Sequence, residues 1–118
     1  MQSRFRLSED KRFSEIHREG LSIANKLLVV RVLENGLSHN RYAFMVSKRL
    51  GNAVTRNKIR RRLREVVRNT CVRSGWDAVF IARKGAESAD FAALKQSAQN
   101  VLNRAKILDN DSEKGTLW

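Results

Sequence analysis

Apolar residues recur along the chain in two different rhythms. From Ile59 they fall at Ile59, Leu63, Val66 and Val67, with Thr70 next, which are positions of one helical stripe. Residues 48–55 ahead of it contain Gly51 and Asn52, show no such period and read as a basic loop. Thr55 is the expected N-cap of the helix and Ser74-Gly75 its expected stop. An earlier helix is marked by Phe13 and Ile16 one turn apart, with Ser8 as cap, Glu9 and Asp10 in the first turn and Gly20 just past the end. A last helix places Phe91, Leu94, Ala98, Val101, Leu102 and Ala105 on one face, with Ser88 as its cap.

The second rhythm is that of strands. Residues 27–33 form an apolar run interrupted by Arg31, preceded by a short candidate strand at 21–24. Residues 34–40 hold the pair Asn35-Gly36 and make a turn, so that 42–47 returns as a strand expected to pair antiparallel with 27–33. Residues 77–82 read as a buried strand. The order is helix, strand, strand, strand, helix, strand, helix, without internal repeats or linkers, and it predicts a single-domain α+β sandwich over residues 1–108. Residues 109–118 are polar and are expected to be a disordered tail. General connection rules make the strand–helix–strand unit around the basic helix right-handed.

Charge changes this picture most. Against 12 acids stand 24 Lys and Arg, a net +12 and a pI near 11.1, in the range of domains that bind nucleic acid. Opposite the apolar stripe of the basic helix project Asn57, Arg61, Arg64 and Arg68, flanked by Arg60, while Arg56 and Arg62 lie at the stripe's borders. A solvated face is the ordinary reading of a charge run. Here Glu65 is the only acid between Lys48 and Arg73, so neighbouring cations repel, and an external polyanion is needed to offset them. The planar guanidinium suits phosphate oxygens, which favours a nucleic-acid ridge.

Other chemistry is sparse. No phosphate-binding GxxxxGK loop, GxSxG elbow or HExxH pair is present, and His17 and His39 stand in different segments. Carboxylates are too few near the basic stretch to supply a two-metal nuclease site, so the chain itself is expected to catalyse nothing and to bind no metal alone. The single cysteine, Cys71, is read as a packing residue, and its solitude fits a reduced compartment. No run approaches the roughly 20 apolar residues of a membrane span, which predicts a cytoplasmic protein.

The run Ser47-Lys48-Arg49-Leu50-Gly51-Asn52-Ala53-Val54-Thr55-Arg56-Asn57-Lys58-Ile59-Arg60-Arg61 resembles the RNR motif of the bacterial ribonuclease P protein component. Arg6-Leu7 followed by Phe13 and Gly20 is similar to that family's opening, and Ile81-Ala82-Arg83-Lys84 to its strand-four signature, so the likeness spans residues 4–107. The resemblance implies an αβββαβα fold with a four-stranded sheet and a left-handed βαβ crossover, against the general rule. It implies an RNA-binding subunit of the ribonucleoprotein endonuclease that removes the 5′ leader of precursor tRNA, with catalysis by the RNA subunit and Mg2+ held mainly by that RNA. By position, Lys48, Arg49, Asn52, Arg56, Asn57, Lys58, Arg60, Arg61 and Arg64 would contact the catalytic RNA, and Arg68 joins them on the ridge.

The resemblance further implies a cleft between helix one and the sheet that takes the single-stranded leader, with Phe13, His17, Val29, Arg31 and Ser47 at matching positions. Where many relatives carry aromatics, this chain has His17 and Arg31. Alternation puts Val29 and Arg31 on one strand face and Leu28, Val30 and Val32 on the other. Arg31 is expected to combine stacking with charge there. The competing reading is a ribosomal or general structural RNA-binding protein; a protein-only nuclease and a membrane-surface role fit less well.

Overall fold

Strand β4 (Trp76–Ala82) is the strand on which the sheet is built. Its residues are buried except Trp76 and Ile81, which are partly so, and it lies between β2 (Leu28–Glu34) and β3 (Arg41–Met45) in a sheet of order β1-β2-β4-β3, with β1 (Leu21–Ala24) at one edge. The computed structural model describes Arg6, Leu7 and residues 9–109. Three helices complete it: α1 (Asp10–Glu19), α2 (Ala53–Arg68) and α3 (Phe91–Arg104). The expected α+β order, helix, three strands, helix, strand, helix, is therefore the order found.

The expected antiparallel pairing of the second and third strands is not found. β2 pairs antiparallel with β4, and β3 pairs parallel with β4, so the third strand never touches the second. Residues 35–40 do not form a tight hairpin. They arch over the start of β4, a span of about 9.5 Å at the usual strand spacing. There the Asn35 amide donates to the Gly75 carbonyl at 2.9 Å and the Trp76 amide donates to Asn40 Oδ1 at 2.8 Å.

Alternation then divides the sheet into two unlike faces. Leu28, Val30 and Val32 of β2 and Ala78, Phe80 and Ala82 of β4 are at most 6% exposed and pack against Ile59, Leu63, Val66 and Val67 of α2 and Leu94, Ala98, Val101 and Leu102 of α3. The helical stripe read from the sequence is thus the buried one, although Phe91 of α3 stays 38% exposed. Phe44 and Phe80 stack at 5.7 Å between centroids. Burying each such side chain contributes roughly 2 kcal/mol. The opposite face carries only a small cluster, Leu7, Ile16 and Val79 with Phe13, Leu33, Ala43 and Ile81 around it, beneath α1.

Several element ends differ from expectation. Asn52, not Thr55, caps α2, its Oδ1 accepting from the Thr55 amide at 3.0 Å. Gly51, at φ 138°, a value side-chain-bearing residues rarely adopt, turns the chain from a single 3₁₀ turn at Lys48–Leu50 into that cap. α2 ends at Asn69, before Ser74-Gly75, because Asn69 Nδ2 folds back onto the Glu65 carbonyl at 2.9 Å. Asp90, not Ser88, caps α3, accepting from the Ala93 amide at 2.8 Å. Ser8 and residues 110–118 lie outside the described residues, so the expected cap and tail do too; Glu9 stands at the N-cap of α1 without a side-chain bond.

Candidate nucleic-acid interface

The 16-residue α2 turns its apolar face to the core and so fixes where its cations go. Asn57, Lys58, Arg61, Arg64 and Arg68 are exposed, as are Lys48 and Arg49 on the preceding turn, while Arg56, Arg60 and Arg62 are partly buried at the borders. Three of these arginines have internal work, Arg60 by donating to Asn57 Oδ1 at 2.8 Å. Arg62 donates to the Ala89 carbonyl at 2.8 Å, tying α2 to the segment before α3. Arg68 is ion-paired with Glu65, the ridge's single acid, which also accepts from Asn69 at 3.0 Å. Among the described residues, Arg61 and Arg64 have no such internal anion, and their charge is left for solvent or a partner.

A groove of about 670 Å³ runs between α1 and the sparsely covered sheet face. Phe13, Ser14, Ile16, His17 and Arg18 of α1 line one side, and Arg31, Val79, Ile81 and Met45 of three strands line the floor. It adjoins a hollow of about 440 Å³ lined by Arg6, Leu7, Tyr42, Ala43, Phe44, Arg60 and Arg64, sharing Phe13 and Met45 with it. The groove therefore leads from the His17–Arg31 end directly to the ridge. Neither lining contains a carboxylate.

The structure places Phe13, His17 and Arg31, positions that the resemblance assigned to a cleft, along one groove, with Arg31 Nη1 2.5 Å from His17 Nδ1. Val29 faces the same side, paired in register with Ile81, but does not line the groove. Ser47 lines a separate basic hollow with Arg49, Leu50, Ala82, Arg83 and Lys84. Sequence reasoning missed Met45, Val79, Ile81 and Arg18 as lining residues. Alternation from Ser47 through Met45 to Ala43 carried the signal for the first, and alternation in β4 for the next two.

It also missed Asp77, which has no exposed surface. Its carboxylate accepts from Arg12 Nε at 2.7 Å, Asn35 Nδ2 at 2.9 Å and both Nε and Nη2 of Arg41. Burial opposes its ionisation, but the hydrogen bonds from Arg41, Asn35 and Arg12 outweigh it, so the Asp77 pKa lies below its ordinary value. Arg12 belongs to α1, so this cluster fastens the helix that walls the groove. Cys71, read as a packing residue, is instead exposed, its carbonyl accepting from the Asp109 amide at 2.8 Å. Among the described residues no three His, Cys, Asp or Glu side chains converge as a metal site, and no helix is long and apolar enough to cross a membrane.

A family model described as Ribonuclease P matches residues 1–106. The ribonuclease P protein component of Streptococcus pneumoniae (strain Hungary19A-6) is 43% identical over 120 residues, covering 98% of this chain and 98% of that protein. The Staphylococcus aureus RNase P protein superposes with a TM-score of 0.81 at 35% identity, over 89% of this chain and 98% of that one. The RNase P protein of Thermotoga maritima does so at 0.78 and 32% identity, over 84% of this chain and 96% of its own. A matching sequence model over nearly the whole described fold, with relatives that share both identity and architecture, shows that the chain belongs to the ribonuclease P protein family.

Proposed function

We infer that this chain is the RNA-binding protein subunit of ribonuclease P, acting in the cytoplasm with a catalytic RNA to remove the 5′ leader of precursor tRNA. The observation that carries the reading is the continuity of the carboxylate-free groove with the cationic ridge through Phe13 and Met45. A single strand lying in the groove, with bases against Phe13 and the apolar floor, comes out beside Arg60 and Arg64, where a second, folded RNA can neutralise the ridge. The ridge, from Lys48 and Arg49 through Asn57, Arg61 and Arg64, binds the catalytic RNA, and the groove binds the leader.

Bond cleavage belongs to the RNA and to Mg2+ held by its phosphates; the protein positions the leader and supplies counter-charge. The groove offers cations and no carboxylates, a donor set suited to phosphate and unsuited to a hard divalent metal. The test is cleavage of precursor tRNA at low magnesium with a bacterial ribonuclease P RNA alone, this protein alone and both together. Cutting at the mature 5′ end by the mixture only is the expected result. No gain with several such RNAs, or equal affinity for precursor and mature tRNA, would favour a structural RNA-binding role. Cleavage by the protein alone would overturn the assignment of chemistry to RNA.

A further inference from the structure

We propose that Arg31, held in position by His17, makes the groove select guanine over adenine and uracil in the single-stranded leader. The inference rests on reading the groove as the leader site. It starts from the contact between Arg31 Nη1 and His17 Nδ1 at 2.5 Å. A guanidinium has no lone pair to offer, so Arg31 donates, and His17 accepts at Nδ1 with its ring proton on Nε2. One partner stands on a helix and the other on a strand interior, so the contact restrains where the guanidinium sits. Among the described residues this is the only side-chain hydrogen bond of Arg31, so its Nε and Nη2 donors are unengaged.

Among the described residues no carboxylate stands beside them. The register partners of Arg31 are Ser22 and Val79, and the groove lining holds no acid. These donors are open to acceptors on a ligand. Phosphate can be met by Arg18 on the same lining, whereas Phe13, Ile81, Met45 and Val79 offer apolar surface that would strip phosphate hydration without replacing it. A base gains from the same surroundings: its faces meet the apolar side chains and only its edge meets Arg31.

Edge chemistry then separates the bases. Guanine presents O6 and N7, two adjacent acceptors matched to the guanidinium fork, whereas adenine places the N6 donor beside N7 and uracil offers O4 alone on that edge. Cytosine also carries two adjacent acceptors, O2 and N3, on its Watson–Crick edge, so the discrimination runs against adenine and uracil. Unpaired nucleotides expose these edges freely, as base-paired RNA does not. His17 is a positioning residue in this scheme and Arg31 the reading residue.

The test uses holoenzyme reconstituted from a bacterial ribonuclease P RNA and the full chain. Precursor tRNAs carry oligouridine leaders in which one G, A or C is moved through successive positions, and affinity is read for each. At one position guanine should bind about 10-fold more tightly than adenine. Arg31→Lys, which keeps the charge and loses the fork, should reduce that ratio to about 2-fold or less while the leader still tightens binding over leaderless tRNA. His17→Asn, whose amide oxygen can replace Nδ1 as acceptor, should keep the ratio, and His17→Phe should lose it. A leader that contributes affinity with no guanine preference, or a preference that survives Arg31→Lys, overturns the inference and leaves the proposed function standing. A leader that contributes nothing with the wild-type chain overturns both, and the wild-type series needs no variant to fold.

Discussion

Asp77 and Arg41 sit opposite each other as register partners in the parallel β3–β4 pair, joined by hydrogen bonds of 2.8 and 2.7 Å. Arg12 reaches the same carboxylate from α1, so one buried anion holds two strands and the groove wall together. Asp77→Asn keeps the shape and removes the charge. It should cost about 3 kcal/mol in unfolding experiments, the scale for breaking a buried pair from one side. It should also narrow the affinity gap between leader-bearing and leaderless tRNA, because α1 loses its tether.

The same carboxylate sets an acid limit. Its pKa in the folded chain lies below the ordinary 3.8, so its contribution is complete above that value and is lost as pH falls through the lower folded value. The stability difference between wild type and Asp77→Asn should therefore shrink as the pH drops below 3.8. Parallel acid-unfolding curves for the two proteins would contradict this.

Gly20→Ala should destabilise the fold by about 1–3 kcal/mol for a steric reason. Gly20 has an extended backbone, φ −75° and ψ 157°, and is not a left-handed helix terminator. A Cβ there would meet the Ile16 carbonyl oxygen at 2.5 Å and that of Val32 at 2.9 Å, both backbone atoms. The measurement is thermal unfolding, and Gly20→Ser should be no better tolerated.

Capping gives a sharper comparison. Asn52→Ala removes the side-chain oxygen that accepts from Thr55 and should cost about 1 kcal/mol. Thr55→Ala, inside the first turn, should cost less. The reverse order in denaturant titrations would restore Thr55 as the cap.

The ridge cations should differ by their internal partners. Arg61→Ala and Arg64→Ala should each weaken binding to the catalytic RNA and lower the logarithmic salt slope by up to about 0.9 for every phosphate no longer neutralised. Arg68→Ala should change the slope less, since Glu65 already neutralises it. All three positions are exposed, so stability should move by no more than about 0.5 kcal/mol. Salt titrations of the three variants side by side are the check.

The helical stripe of α2 and the two faces of β2 were legible because period and burial coincide there: Ile59, Leu63, Val66 and Val67 share one side, and Val30 and Arg31 fall on opposite ones. Strand order was not legible. Asn35-Gly36 favours a hairpin locally, but the side chains of Asn35 and Asn40 are spent on Asp77 and Trp76 of β4, far along the chain and beyond the reach of any local pattern. Caps failed for a related reason: Asn52, Thr55, Ser88 and Asp90 are all chemically competent, and backbone geometry chooses among them. Asp77 gave no signal, since nothing local to it foretells that Arg12 and Arg41 will converge on it.

The insertion of β4 between β2 and β3 also orders events during synthesis. Every residue of the ridge, from Lys48 to Arg68, leaves the ribosome before Trp76–Ala82 does. Until then β1 and β2 can pair as a local hairpin, but β3 lacks the strand it pairs with and has only the bridge from Arg6 to Tyr42, and α2 has no Phe80 to pack against. The sheet closes only through contacts distant in sequence, the slow kind. A nascent chain stalled before β4 would therefore carry its full set of ridge cations on an unfinished scaffold, and the cationic surface acquires its shape only with the last of the four strands.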